Sequence, residues 1–543
     1  MAYQGNLLAH DWTNDNSEMS TAASNGLLVS NHSYGSISGW RYNSDNSEWE
    51  WWGDESLSTT EDYKFGYYDY WNAQAWDAIA HNAPYYLIVK SAGNDRNDSH
   101  TGTHKVRNSS NTWVSSNAVR PPDGGVDGYD CIASGGIAKN VLTIGAVNDI
   151  NSGYSNPSEV SMSTFSGWGP TDDGRIKPDI VGNGVGVYSS ESSGDNAYGS
   201  KSGTSMSAPN VSGSILMLQE HYENTSGSYM RSASLKALIL HTAYPSNNNP
   251  GPNYICGWGL LNMEGAANFI SENTENIIEK KLVNSGTYTK SFYSNGTEPI
   301  RVTICWTDPE ANSLPIAVND PTLRLVNDLD IRIADANGAL YKPYILDPAN
   351  PANPATSGDN YRDNVEQIYI NAPSSGIYTV SVTHKNSLSG GEQPFSMILE
   401  GSQILSSFNA SANNSSEINL SWNLNANSGN VVLAYSLNET FGLPNNGSSY
   451  SVGDAILGGG TVAYVGNANS FNHSSLSTNT TYYYKIWSYN GNEYSSGLVD
   501  NATTLCGEAN GLDATNITTN SAFLSWVSTG NQIQWVTSFG YQG

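Results

Sequence analysis

Near residue 276 the apolar pattern of this 543-residue chain changes period, and that change constrains what it can fold into. Before it, short apolar runs alternate with helical spacing. Leu27-Leu28-Val29, Leu87-Ile88-Val89 and residues 141–147 have the form of buried parallel strands. Between the first two, residues 70–81 place Trp71, Ala75, Trp76 and Ile79 on one helical side. Strands alternating with helices predict an α/β fold, a parallel sheet with helices on both faces.

After residue 276 the spacing becomes that of half-buried antiparallel strands, clearest in residues 301–306 and 377–382. This stretch, to residue 402, is expected to be a jelly-roll sandwich. The remainder repeats itself. Asn409-Ala410 followed by Leu420-Ser421-Trp422 returns as Asp513-Ala514 followed by Leu524-Ser525-Trp526, 104 residues on (410 to 514). A period of about 100 residues with a Trp on an early strand resembles an Ig-like or fibronectin type III sandwich, with Tyr482 as its tyrosine corner. The expected domains are therefore 1–275, 276–402, 403–504 and, incomplete, 505–543.

Gly203-Thr204-Ser205-Met206-Ser207-Ala208-Pro209 opens a helix carrying Val211, Ile215, Leu216 and Leu218. Ser232 is expected to cap the next helix. Glycine permits a tight turn ahead of Ser205, and a helix start offers backbone N–H groups without partners, favouring a developing negative charge. The heptapeptide resembles the nucleophile motif of the subtilisin-like serine peptidases, the subtilases. Further segments agree in order. Ser91-Ala92-Gly93-Asn94 resembles the family's oxyanion segment, which implies Asn94 as a donor to the tetrahedral intermediate. Such a donor is worth on the order of 3 kcal/mol, the magnitude found in subtilisin. Ser33, Tyr34 and Gly35 resemble the edge that pairs with an extended substrate. Ala133, Ser134 and Gly135 fall where the family forms the floor of its primary pocket. Their small neutral side chains predict a roomy, uncharged pocket for an apolar or aromatic residue. Residues 165–170, 177–180 and 257–262 resemble recurrent structural segments, so the resemblance covers nearly all of 1–270.

A serine hydroxyl needs a base and a carboxylate that orients it. In subtilases these precede the serine as Asp, then His. The family's H-G-T-H helix precedes a strand like Gly5-Asn6-Leu7-Leu8-Ala9-His10-Asp11, so His10 is read as ending a strand. His32 lies in the substrate edge, and His100-Thr101-Gly102-Thr103-His104 follows the oxyanion segment in a polar loop. None has the right place for the base. The resemblance thus implies a serine endopeptidase acting through an acyl-enzyme on Ser205, with the base and its Asp encoded upstream of Met1 and this chain inactive as written. The alternative is a pseudopeptidase that binds or adheres through its β modules.

Composition narrows the setting. Fifty acidic against 23 basic residues give a net charge of −27, which argues against nucleic acid as a partner. No run of about 18 apolar residues can span a membrane. Four cysteines without a C-x-x-C pair make zinc improbable and leave any disulfide pairing open. Abundant Asn, Ser, Gly and Tyr fit an extracellular protein, whereas the start lacks a signal peptide and both ends read as cut. Polypeptide substrates are the expected partners, with surface or polysaccharide contacts through the β modules. Asn327, Asp328, Asp330, Asp359, Asp363, Asn364 and Glu366 form an oxygen-rich set; Asp328, Asp330, Asp363 and Glu366 are its expected ligands for structural Ca2+.

Overall fold

A computed structural model describes the chain except residues 1–4, 109, 249, 295, 297, 402–404, 425–429, 446, 490–493, 496, 508–509 and 528–543. It divides into two compact units. The first comprises Met1–Lys290, Pro299–Asn371 and Thr379–Glu400; the second comprises Ser291–Glu298, Ala372–Tyr378 and Gly401–Gly543.

In the first unit, strands β1 (Val29–His32), β2 (Leu87–Ser91), β3 (Leu142–Val147) and β4 (Ile180–Asn183) form one sheet in that order. Every pair is parallel, with Val29 opposite Leu87, Val89 opposite Leu142 and Ile144 opposite Ile180. Five helices accompany it: α1 (Asp15–Ser24), α2 (Ala73–Asn82), α3 (Thr204–Ser226), α4 (Ser232–Thr242) and α5 (Met263–Asn273). Leu87, Val89, Leu142 and Ile144 share a core with Val211, Ile215 and Leu218 of α3. Ile88, on the other face of β2, packs with Trp76 and Ala80 of α2. Both faces are covered, which is why β2 and β3 are apolar and buried along their whole length apart from Lys90, Ser91 and Thr143.

Three local readings change. Residues 6–11 form no strand, and Leu7 and Leu8 lie exposed, because no neighbouring strand pairs with them among the described residues. The first sheet strand begins at Val29 rather than Leu27. Ser232 is not a cap but the first residue of α4. Its N–H and hydroxyl donate to the Pro84 carbonyl at 2.8 and 3.1 Å.

Helix α4 is buried from Ser232 through His241, so it has no solvent face. The sheet lies on one side of it. Beyond it lies an antiparallel sheet ordered Ile277–Val283, Glu392–Glu400, Ile300–Cys305, Val365–Ile370. Cys305, Val365 and Ile398 belong to the same core as Leu235 and Leu238 of α4. A second sheet, ordered Tyr288–Ser294, Gly376–His384, Leu329–Asp335, Leu340–Tyr341, completes the β region. The change of period at 276 is thus a change of architecture, from a parallel sheet with helices to antiparallel sheets.

The second unit holds a three-stranded sheet (Leu405–Ala412, Ile418–Leu424, Ser470–His473) and a four-stranded one (Thr461–Gly466, Asn430–Ser436, Thr481–Tyr489, Leu498–Thr503). Trp422 is buried among Leu420, Val431, Leu433 and Ile486. The Tyr482 hydroxyl accepts the Ser477 N–H at 3.0 Å, the bond of a tyrosine corner. Asn510–Thr515 and Phe523–Val527 pair antiparallel, and the rest of the expected second repeat, from 528, lies outside the described residues. All four cysteines are free thiols; Cys131, Cys256 and Cys305 are buried and Cys506 is exposed.

Candidate active site

Gly203 holds φ 156° and ψ 157°, a backbone region that essentially only glycine occupies. The turn it makes starts α3. A helix start leaves its first N–H groups without intrahelical partners. Here Met206 and Ser207 direct theirs to the Gly203 carbonyl at 3.0 and 3.4 Å. The Thr204 N–H goes instead to Asn94 Oδ1 at 2.8 Å, and the Thr204 hydroxyl donates to the same oxygen at 2.9 Å. Thr204 Oγ1 also accepts the Gly93 N–H at 3.2 Å. Since a backbone N–H must meet an oxygen, these bonds fix which way the Asn94 amide faces. Its Nδ2 is left as a free donor. A side chain on Gly203 would begin 3.5 Å from Asn94 Nδ2 and 3.6 Å from the Ser205 nitrogen. Two N–H donors, with the Met206 sulfur also 3.5 Å away, therefore border the position beside Gly203.

Ser205 Oγ donates to the Ser33 carbonyl at 3.2 Å, and Ser33 Oγ donates to the Ser205 carbonyl at 3.1 Å. The 33–35 segment, the Asn94 segment and the start of α3 are thus brought together. Tyr34 plays a different part from Ser33. Its hydroxyl donates to Asp15 at 2.9 Å and meets His32 Nδ1 at 2.7 Å, tying the segment to α1. Ser91 and Gly93 flank Ala92, whose side chain is buried in the core beside Trp76. Ala133 bridges to Phe65. Ser134 Oγ accepts the Ser36 N–H at 3.1 Å and meets the Ser36 hydroxyl at 2.8 Å. Trp76 occupies the place where a Gly135 side chain would be, 2.5 Å from it.

One charged neighbour departs from the expected neutral floor. The buried ammonium of Lys90 lies 3.9 Å from where a side chain on Gly35 would begin, and Ser134 Oγ lies 3.4 Å from the same point. The sequence pattern of Leu87-Ile88-Val89 does not single out Lys90. The available signal was a basic residue inside Leu87–Ser91 with no acidic residue in that strand.

All nine histidines of the chain lie among the described residues, and none hydrogen-bonds Ser205. His32 is enclosed, with Ser30 at Nε2 and Tyr34 at Nδ1, both 2.7 Å away. Burial, with Lys90 nearby, holds its pKa down to about 4, so it is neutral at pH 7. His10 pairs with Glu18. His100 stacks on Trp49, and His104 bonds Arg120 and the Gly102 carbonyl. His81, His221 and His241 face Thr307, Ser271 and Glu400. His384 and His473 face Ser285 and Tyr484.

The expected calcium ligands do not converge. Lys385 lies 3.0 Å from Asp328 and 3.1 Å from Asp330, and Arg332 lies 3.0 Å from Asp330. Two cations thus stand where a metal would be needed. Asp363 faces elsewhere and accepts the Ile176 N–H at 2.8 Å. Glu366 accepts the Ile331 N–H at 2.7 Å, and burial pushes its carboxyl pKa well up. Among the described residues no group of three or more His, Cys, Asp or Glu is placed to hold a metal ion.

Comparison with known proteins agrees with this geometry. Residues 5–259 match the family model described as Subtilase family. A C5a peptidase of Streptococcus pyogenes serotype M18 (strain MGAS8232) is 50% identical over 66 residues, 12% of this chain and 6% of that protein. The serine protease/ABC transporter B family protein tagA of Dictyostelium discoideum is 29% identical over 210 residues, 32% of this chain and 12% of that protein. The match thus spans a small part of either relative. Among solved structures, the patellamide maturation protease PatA is 21% identical, with 47% of this chain and 67% of that chain covered and a TM-score of 0.30. By the family match, with Gly203-Thr204-Ser205 opening a helix against a parallel sheet, residues 5–259 belong to the subtilase family of serine peptidases.

Proposed function

We propose that this chain carries the nucleophile and the oxyanion donors of a serine endopeptidase, and that the activating base comes from polypeptide outside this sequence. The observation that carries the reading is the convergence of Asn94 Nδ2 and the Ser205 N–H on the space beside Gly203. Ser205 Oγ attacks a peptide carbonyl once a base takes its proton. The developing oxyanion then receives both N–H donors, which are already fixed by the Thr204 bonds and need no reorganisation. The leaving amine departs with a proton from the base, and water hydrolyses the acyl-enzyme. The 33–35 segment, tied to Ser205 through Ser33, pairs with the extended substrate on the acyl side.

Nothing among the nine histidines offers Ser205 a partner, which is why an external base is invoked. The orienting Asp belongs with it. The polypeptide substrates act outside the cell in this reading. It draws on the acidic composition and on the finding that no helix among the described residues is long and apolar enough to cross a membrane. The two-sheet sandwich of the second unit is proposed as a fibronectin type III-like module that contacts surfaces or polysaccharide.

A fluorophosphonate probe tests the reading, because only an activated serine is labelled. A polypeptide joining this sequence to a segment with an Asp-Ser/Thr-Gly motif and a helix-borne histidine should label at Ser205, and this chain alone should not. Absence of labelling in the joined polypeptide would favour a pseudopeptidase.

A further inference from the structure

Five lysines are buried among the described residues: Lys64, Lys90, Lys139, Lys177 and Lys236. Four face a carboxylate. Lys139 lies 2.5 Å from Asp308, Lys177 and Lys236 lie 2.5 and 2.8 Å from Asp179, and Lys64 lies 3.5 Å from Asp62. Lys90 makes no ion pair among the described residues. Its ammonium donates to the Ser91 carbonyl at 2.7 Å and to Ser91 Oγ at 3.0 Å, which leaves one N–H without an acceptor. An ammonium taken out of water without a counter-ion is costly, so buried charges are normally paired. The same chain pairs its other four.

The location of Lys90 supplies the reason. It sits four residues before Asn94 on the same strand and loop. Gly35 lies two residues beyond Ser33, the residue that exchanges hydrogen bonds with Ser205. The missing side chain of Gly35 leaves its backbone close to the ammonium and to Ser134 Oγ. A peptide laid along 33–35 with its reacting carbonyl at Ser205 would direct the side chain before the cut toward Ser134 and Lys90.

We infer that Lys90 is a specificity residue: it receives the side-chain carboxylate of an aspartate or glutamate immediately before the scissile bond. This rests on the proposed role of Ser205 and the 33–35 edge. Asp95 attracts Lys90 without a direct ion pair; the substrate carboxylate supplies that direct pair, and the Ser134 hydroxyl offers it a second donor. Consistent with an unpaired site, burial holds the Lys90 pKa down to about 7, with Asp95 pulling the other way. A carboxylate against it would raise that value again.

Binding tests the inference with the chain as it stands. Fluorescein-labelled product peptides, identical except for a C-terminal Glu, Gln, Phe or Lys, are titrated by anisotropy. The Glu peptide should bind roughly 10- to 100-fold tighter than the Gln peptide, as expected of a charge-assisted hydrogen bond. Lys90→Met should erase that ratio, chiefly by weakening the Glu peptide. Gly203→Val should weaken all four peptides. Equal binding of Glu and Gln, or a preference for Phe, with sensitivity to Gly203→Val retained, overturns the Lys90 inference and leaves the Ser205 reading standing. No binding by any peptide, or no response to Gly203→Val, overturns both. The Glu-to-Gln comparison needs no variant, so it decides even if Lys90→Met does not fold.

Discussion

Two regions of the first unit hold buried charge in opposite ways. Between the parallel sheet and the antiparallel sheets, Asp179 is held by Lys177, Lys236 and the Thr143 N–H, and Lys139 by Asp308 and two carbonyls. At the start of α3, Asn94 Nδ2, the Ser205 N–H and one N–H of Lys90 point at nothing. The first region is closed on itself and reads as structure. The second leaves donors without a protein acceptor, on buried Lys90, half-buried Ser205 and exposed Asn94.

This contrast can be broken by substitution, beginning with the largest effect. Asp179→Ala leaves two buried ammonium groups facing each other and should cost about 3–5 kcal/mol, measured by denaturant unfolding. The pKa of Asp179 is lowered in the fold: burial opposes this, but the two lysines outweigh it. Its contribution is therefore present above the unfolded carboxylate value and is lost as pH falls through the lower folded one. Asn94→Ala, on the open side, should cost only about 1 kcal/mol, since stability loses one helix-capping oxygen. In a polypeptide supplied with its base, the same change should cost about 10²–10³-fold in kcat. A stability loss comparable to that of Asp179→Ala would mean Asn94 is chiefly structural.

The smallest effect carries the opposite sign. Lys90→Met should leave stability unchanged or raise it at pH 7. Between the folded value near 7 and the unfolded value near 10.5, the unfolded lysine holds a proton that the folded one has lost. Stability of the natural chain should rise across that window relative to Lys90→Met, and the difference should vanish above it. Paired denaturation curves at pH 7 and pH 10.5 measure this.

The segments proposed to carry the nucleophile and the oxyanion donor are visible in the sequence because each is local. Gly203, Thr204 and Ser205 are consecutive, and the Asn94 segment follows directly on an apolar strand. Lys90 was not legible, since the residues that make it unusual come from positions 35 and 134, far off in the chain. The carboxylates expected to hold calcium meet a related obstacle. The alternation of Asp328 and Asp330 is visible locally, whereas Lys385, just past the distant strand Gly376–His384, pairs with both. Residues 6–11 read as a strand from Leu7-Leu8, but a strand exists only where another pairs with it. The change of period at 276 announced the change of architecture correctly. It did not reveal that α4 would be buried between sheet and sandwich, because its apolar run reads equally well as a helix in a smaller core.

The central claim, a prepared nucleophile without a base in this chain, is tested most directly by peptide hydrolysis with the purified protein and its Ser205→Ala variant. The account predicts no Ser205-dependent turnover at protease rates, with kcat about 10⁶-fold below that of a base-supplied polypeptide. Turnover of about 1–10³ s⁻¹ that Ser205→Ala abolishes would contradict it.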